Sequence, residues 1–167
     1  MCHHVQSQDV HRRPHRASNR RYLDERLNIL INRSVLDGTP LSVVMLDIDD
    51  FKDINDGLGH LAGGKVLSRV AEVLREALVP TTEDILACYG GDEFIAALRN
   101  VSEAELECRL RSIPPIDVDG GMRVTFSVGA YYQEKVENLD AQTLIQRADR
   151  AMYDAKATGK NSFEVEE

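Results

Sequence analysis

At 167 residues, 43% of them hydrophobic, the chain is long enough to bury one core but not comfortably two. Its net charge of −8 excludes a surface that binds polyanions indiscriminately, so nucleic acid is not an expected partner. No apolar run approaches a membrane span, the N-terminus lacks a signal-peptide pattern, and Cys2, Cys88 and Cys108 show no paired spacing; these features fit a cytoplasmic protein without a membrane partner.

The charge is unevenly spread. Five arginines against Asp9 leave residues 1–21 at +4, and the rest of the −8 chain therefore at −12. Residues 1–18 read as a polar, His/Arg-rich and poorly ordered leader. His3, His4, His11 and His15 have no acidic or thiolate partner at a ligand spacing. A single domain is expected over 19–167, with no internal repeat and no room for an attached sensory domain.

Ser18 or Asn19 is placed to cap a helix carrying Leu23, Leu27, Leu30 and Ile31 and ending near Gly38. After Thr39-Pro40, the apolar run from Leu41 predicts a buried strand over 41–48, which releases Asp47, Asp49 and Asp50 into an Asp-rich turn. From about His60 to Val79, Leu67, Val70, Ala71, Leu74, Ala77 and Leu78 form a helical stripe. Ile85–Tyr89 and Phe94–Leu98 flank Gly90-Gly91 and read as a β-hairpin, the glycines supplying the positive φ of a two-residue turn. Ser102 and Glu105 form a capping box for a short helix to about Ser112, stopped by Pro114-Pro115. Met122, Val124, Phe126, Val128 and Ala130 alternate with polar residues as one half-buried strand. A last helix over about 140–158 stops at Gly159. The fold class is α/β (α+β), with a central mixed or antiparallel sheet flanked by helices.

Two segments carry chemistry. Asp92 and Glu93 follow a turn without side chains, where bare backbone can approach a phosphate and adjacent acids can hold a divalent cation. Strand 41–48 likewise delivers acids at its C-terminal end, where α/β folds place ligands. Taken singly, each segment also reads as an ordinary solvated loop.

Taken together, Asp47-Ile48-Asp49-Asp50-Phe51-Lys52-Asp53-Ile54-Asn55-Asp56-Gly57-Leu58-Gly59-His60 and Gly90-Gly91-Asp92-Glu93-Phe94 resemble the GGDEF domain family, the diguanylate cyclases. The resemblance runs from about Asn19-Arg20 to Lys160-Asn161. It implies a fold related to the nucleotidyl cyclase and polymerase palm domains, and condensation of two GTP molecules into cyclic di-GMP with release of pyrophosphate. Such in-line attack builds charge that divalent metals neutralise. By the resemblance, Asp47, Asp92 and the Ile48 carbonyl hold Mg²⁺ (Mn²⁺ as an alternative). Glu93 assists metal binding or deprotonates the attacking hydroxyl. Lys52, Lys156 and Lys160 meet phosphate oxygens, and Asn55 hydrogen-bonds the guanine edge. Phe51, His60, Gly64, Gly90 and Gly91 complete the substrate-facing set. The two C-terminal lysines, four apart, could share one helix face, or could simply compensate the helix dipole. A symmetric product implies a homodimer with both sites meeting at a two-fold axis, with protein concentration or a regulatory protein partner controlling its assembly.

Departures from the family pattern qualify that expectation. Where the family reads Gly-Asp, this chain reads Gly63-Gly64, which removes a carboxylate that accepts from guanine. Losing such a charged bond costs about 1.5–3 kcal/mol, roughly ten- to a hundredfold in affinity. Cys88 replaces the arginine before Tyr89-Gly90-Gly91, and of the family's leader motif only Asn19-Arg20 survives, which removes the usual anchoring of that leader. The product-inhibition site is expected to be absent, since Thr81 stands where its arginine would be and Asp84 alone remains. Three readings follow: a diguanylate cyclase, a noncatalytic nucleotide- or protein-binding module, and a cyclase with relaxed guanine/adenine choice.

Overall fold

The structure, a computed structural model, describes residues 16–137 and 139–167. Residues 1–15 of the expected leader, with His3, His4, His11 and His15, lie outside the described residues. Helix α1 (Arg16–Asp37) already includes Ser18 and Asn19, so neither caps it as expected. In chain order there follow β1 (Leu41–Ile48), α2 (Phe51–Leu58), α3 (His60–Leu78), β2 (Ile85–Cys88) and β3 (Glu93–Arg99). Then come α4 (Glu103–Arg111), β4 (Ile116–Val118), β5 (Met122–Val124), β6 (Phe126–Gln133), α5 (Ala141–Thr158) and β7 (Ser162–Glu166).

Five strands form one mixed sheet in the order β2-β3-β1-β6-β7, antiparallel except for the parallel β6–β7 pair. β1 lies at its centre and is buried on both faces, which is why it reads as an unbroken apolar run. Its side chains alternate between two cores. Val44, Leu46 and Ile48 join Val70, Leu74 and Leu78 of α3 and Leu106 of α4. Leu41, Val43 and Met45 join Leu23, Leu27 and Leu30 of α1 and Leu144, Ala148 and Met152 of α5. Each such aliphatic side chain contributes about 1.5–3 kcal/mol on burial, so helices on both faces hold the sheet. Gly129 in β6 lets α5 sit directly on the sheet, since a Cβ there would meet Met152 N at 1.9 Å and Ala148 O at 2.4 Å.

Several local expectations are corrected. The Asp-rich turn is largely a helix, α2, anchored by buried Ile54. The predicted strand through 122–130 is two strands broken at Thr125. β5 pairs with β4 in a separate two-stranded sheet, while β6 enters the main sheet and is buried on both sides. The hairpin exists, with Cys88 opposite Phe94, but its connection is longer than two residues. Neither Gly90 nor Gly91 adopts positive φ. Only half of the capping box forms: Ser102 accepts from Glu105 N–H, while Glu105 turns its side chain to Arg109. Among the described residues, no helix is long and apolar enough to cross a membrane.

Candidate active site

The ends of β1 and β3 bring the predicted acids together. Asp47 stands opposite Glu93 in the sheet, and Ile48 N–H donates to the Asp92 carbonyl at 3.1 Å. Burial raises the pKa of the Asp47 carboxyl above its ordinary value despite an ion pair with Lys156, and the charges of Asp92 and Asp49 add to the shift. Glu93 is raised for the same reasons: burial first, then Asp47, Asp92 and Asp149, with Lys156 opposing. Burial and the neighbouring acids thus outweigh the one ammonium, Lys156, that opposes both shifts.

The hairpin glycines have separate jobs. A Cβ on Gly90 would stand 2.5 Å from Glu93 Oε2, so the absent side chain gives the Glu93 carboxylate its room. A Cβ on Gly91 would meet nothing within 4 Å, which leaves bare backbone facing open space.

These hard oxygen donors suit Mg²⁺ or Mn²⁺, and a cation would favour the charged forms that burial first, and the neighbouring acids second, disfavour at Asp47 and Glu93. Among the described residues, no three His, Cys, Asp or Glu side chains are already arranged as a cage for an ion. The nearby positive charge is instead the Lys156 ammonium, 3.0 Å from Asp47 Oδ2.

The lysines depart from expectation in their placement. Lys156 is in α5, but α5 ends at Thr158, so Lys160 lies beyond it and the two do not share a helix face. They converge by another route. Lys156 pairs with Asp47, and Lys160 pairs with Asp50 at the start of α2. Lys52 is exposed in the first turn of α2.

Asn55 and Phe51, expected to meet the base, lie together beside Gly63. A Cβ on Gly63 would lie 1.9 Å from Asn55 Oδ1 and 3.5 Å from the Phe51 ring. A Cβ on Gly64 would meet nothing within 4 Å, so the position of the missing carboxylate is open space. His60 is exposed where α3 begins.

Two groups were not foreseen. Arg20 donates to the Tyr89 hydroxyl at 2.8 Å and lies over its ring at 5.3 Å, so α1 is anchored to the hairpin despite the eroded leader. Asp49 is buried and accepts from the Thr125 and Ser127 hydroxyls, both at 2.6 Å, and from Asn161 N–H at 2.9 Å. No spacing in the sequence separates Asp49 from its acidic neighbours; only the sheet register does.

At the expected product-inhibition position, the Asp84 side chain is 2% exposed. It accepts from the Thr81 hydroxyl at 2.7 Å and from Arg99 N–H at 3.2 Å. Its carboxylate is thus occupied within the fold.

A family model described as "Diguanylate cyclase, GGDEF domain" matches residues 16–162. Over 153 residues the chain is 37% identical to the response regulator PleD of Caulobacter vibrioides, covering 86% of this chain and 33% of PleD. It is 40% identical over 154 residues to the diguanylate cyclase DgcP of Pseudomonas aeruginosa, covering 88% of this chain and 22% of DgcP. The chain therefore spans a third or less of these two relatives. The GGDEF domain of DgcB from Caulobacter crescentus, solved in complex with c-di-GMP, superposes with a TM-score of 0.76 at 27% identity, covering 88% of this chain and 90% of that one.

Proposed function

The chain belongs to the GGDEF diguanylate cyclase family, and on that premise we propose that it condenses two GTP molecules into cyclic di-GMP and pyrophosphate. The observation that carries this reading is the convergence of Asp47, Asp92 and Glu93 at adjacent strand ends beside Lys156. Asp47, Asp92, Glu93 and the Ile48 carbonyl would hold Mg²⁺, or Mn²⁺ in its place. When bound, the metal supplies neutralising charge for the triphosphate and the developing pyrophosphate.

The chain's own residues do the rest. Lys156 and Lys160 exchange their aspartate partners for phosphate oxygens, and exposed Lys52 joins them. Asn55 offers its amide to guanine while Phe51 and Gly63 hold that amide in place. Bare backbone at Gly91 lets the triphosphate approach the hairpin. Glu93, with its raised proton affinity, accepts the proton of the attacking 3′-hydroxyl. One copy holds one GTP, so the symmetric product needs a second copy facing it across a two-fold axis. Cytoplasmic location and control by a regulatory protein partner belong to the same proposal.

Incubating the protein with GTP, ATP or both plus Mg²⁺, with product identification by mass spectrometry, tests this. Cyclic di-GMP that disappears in the Asp92→Ala/Glu93→Ala variant supports it. The open space at Gly64 favours a second reading, relaxed purine choice, which adenine-containing products would support. Nucleotide binding without any product would leave a noncatalytic regulatory module.

A further inference from the structure

We propose that Asp49 is a positioning residue of this site, whose carboxylate fixes the turn between α5 and β7 and so sets where the Lys160 ammonium stands. The proposal rests on the cyclase reading above and assigns a role within that site.

Asp49 lies in a run of acids that water would ordinarily solvate, yet it is only 7% exposed. Its Oδ1 accepts from Ser127, and its Oδ2 accepts from Thr125 and from Asn161 N–H. Its own N–H donates to the Thr125 carbonyl at 3.0 Å. Both oxygens are thus engaged by donors of the protein, which separates Asp49 from Asp47, whose partner is the exchangeable Lys156 ammonium. Hydrogen bonds to an ionised acceptor are about twice as strong as neutral ones, so this is a firm joint.

What it joins is informative. The turn after α5 contains Gly159 at φ 129° and Asn161 at φ 58°, the second a left-handed conformation that asparagine tolerates better than most L-residues and that the surrounding hydrogen bonds hold in place. The Asn161 N–H bond to Asp49 is one such constraint, and the Ser162 hydroxyl, bonded to the Ala155 and Gly159 carbonyls, is another. Lys160 sits between the two unusual residues. Its partner Asp50 follows Asp49 directly and has φ 55° itself. The Asp49–Asn161 bond therefore lies one residue away from the Asp50–Lys160 ion pair on both segments. One buried carboxylate fixes both backbones on which the phosphate-binding lysine depends.

A double-mutant cycle tests the role in the full chain. Asp49→Asn keeps the shape: its amide oxygen can face Asn161 while its NH₂ faces the Ser127 hydroxyl, which can rotate to accept. This variant is expected to fold, to speed hydrogen exchange at the Asn161 amide about tenfold, and to weaken GTP binding in Ca²⁺ about tenfold. The expected loss appears in KM, with kcat changed by less than about twofold, because ground-state phosphate binding is affected. In a Lys160→Met background, Asp49→Asn should weaken GTP no further. Thr125→Val, which deletes one donor, should show a smaller change of the same kind. Unchanged exchange at Asn161, or losses from Asp49→Asn and Lys160→Met that multiply independently, would overturn the proposal. If the wild type binds GTP but forms no product, the cyclase reading fails while the exchange and binding cycle still judge Asp49. If the wild type does not bind GTP, both are overturned.

Discussion

Lys156 Nζ lies 3.0 Å from Asp47 Oδ2, so the residue expected to hold metal is paired with the residue expected to hold phosphate. The pair is partly buried, with 37% and 14% of the two side chains exposed, and its removal leaves Asp47 among Asp49, Asp92 and Glu93 without its lysine. Replacing Lys156 with Met should lower stability without metal by about 1 kcal/mol, a fall in Tm of roughly 2–4 °C. Added Mg²⁺ should then raise Tm more in the variant than in the wild type, because the cation has no ammonium to displace. Thermal melts with and without Mg²⁺ read both effects; equal Mg²⁺ shifts would refute the exchange. GTP affinity in Ca²⁺ should fall about tenfold through the lost phosphate contact.

Glu93 gives a pH-dependent signature. Its folded pKa is raised, chiefly by burial and then by Asp47, Asp92 and Asp149. The folded state therefore binds this proton more tightly than the unfolded state. The stability it contributes is present below the ordinary glutamate pKa and is lost as pH rises through the raised value. Glu93→Gln fixes the neutral form, so the metal-free variant should be more stable than wild type near neutral pH, with the gap closing under acid. Urea midpoints at a series of pH values measure that gap. A variant less stable than wild type near neutrality would show that the charged form is favoured.

How legible all this was depended on what stabilised each part. β1 was readable to its boundaries because its apolar residues serve two cores at once. α2 was not, because it is short, acidic and interrupted by Gly57, and it starts after an Asp50 of φ 55° without a side-chain cap. Tertiary burial of Ile54 outweighs those local signals. The alternation holds only to Phe126, since β6 is then buried on both faces, and the strand breaks at Thr125, whose carbonyl and hydroxyl both bond to Asp49. β7 was too short to register alone, and it is defined by pairing with β6 across α5. In the site, the acids were visible as a motif, and the sheet register places Asp47 against Glu93. The partners of the lysines and the clamp on Asp49 depend on contacts more than 70 positions apart, which no local pattern encodes.

Asp84, a residue of the family's product-inhibition pattern, is engaged within the fold. With Thr81 and Arg99 N–H as its donors and Arg109 4.0 Å away, it ties the residue before β2 to the end of β3. Asp84→Ala should cost about 1–3 kcal/mol by leaving the Arg99 amide unsatisfied. It should leave cyclic di-GMP binding unchanged. Chemical denaturation and product titration check the two halves, and submicromolar product binding that vanishes in the variant would contradict the assignment.

Gly63 and Gly64 are adjacent in α3 and should respond oppositely to added side chains. At Gly63 a Cβ would fall 1.9 Å from Asn55 Oδ1 and 2.9 Å from its Cγ, so Gly63→Ala must push the Asn55 amide out of place. GTP affinity should then fall about tenfold, although alanine is a better helix former than glycine by about 1 kcal/mol. At Gly64 a Cβ meets open space, so Gly64→Asp should fold at least as well as wild type, since aspartate is a better helix former than glycine. If the base lies beside Asn55, the new carboxylate should accept from guanine, which adenine cannot match. GTP binding should then tighten about tenfold while ATP binding stays level or weakens. Parallel GTP and ATP titrations of the two variants in Ca²⁺ decide it. Equal gains for both nucleotides would place the base elsewhere, and an unaffected Gly63→Ala would remove Asn55 from the recognition set.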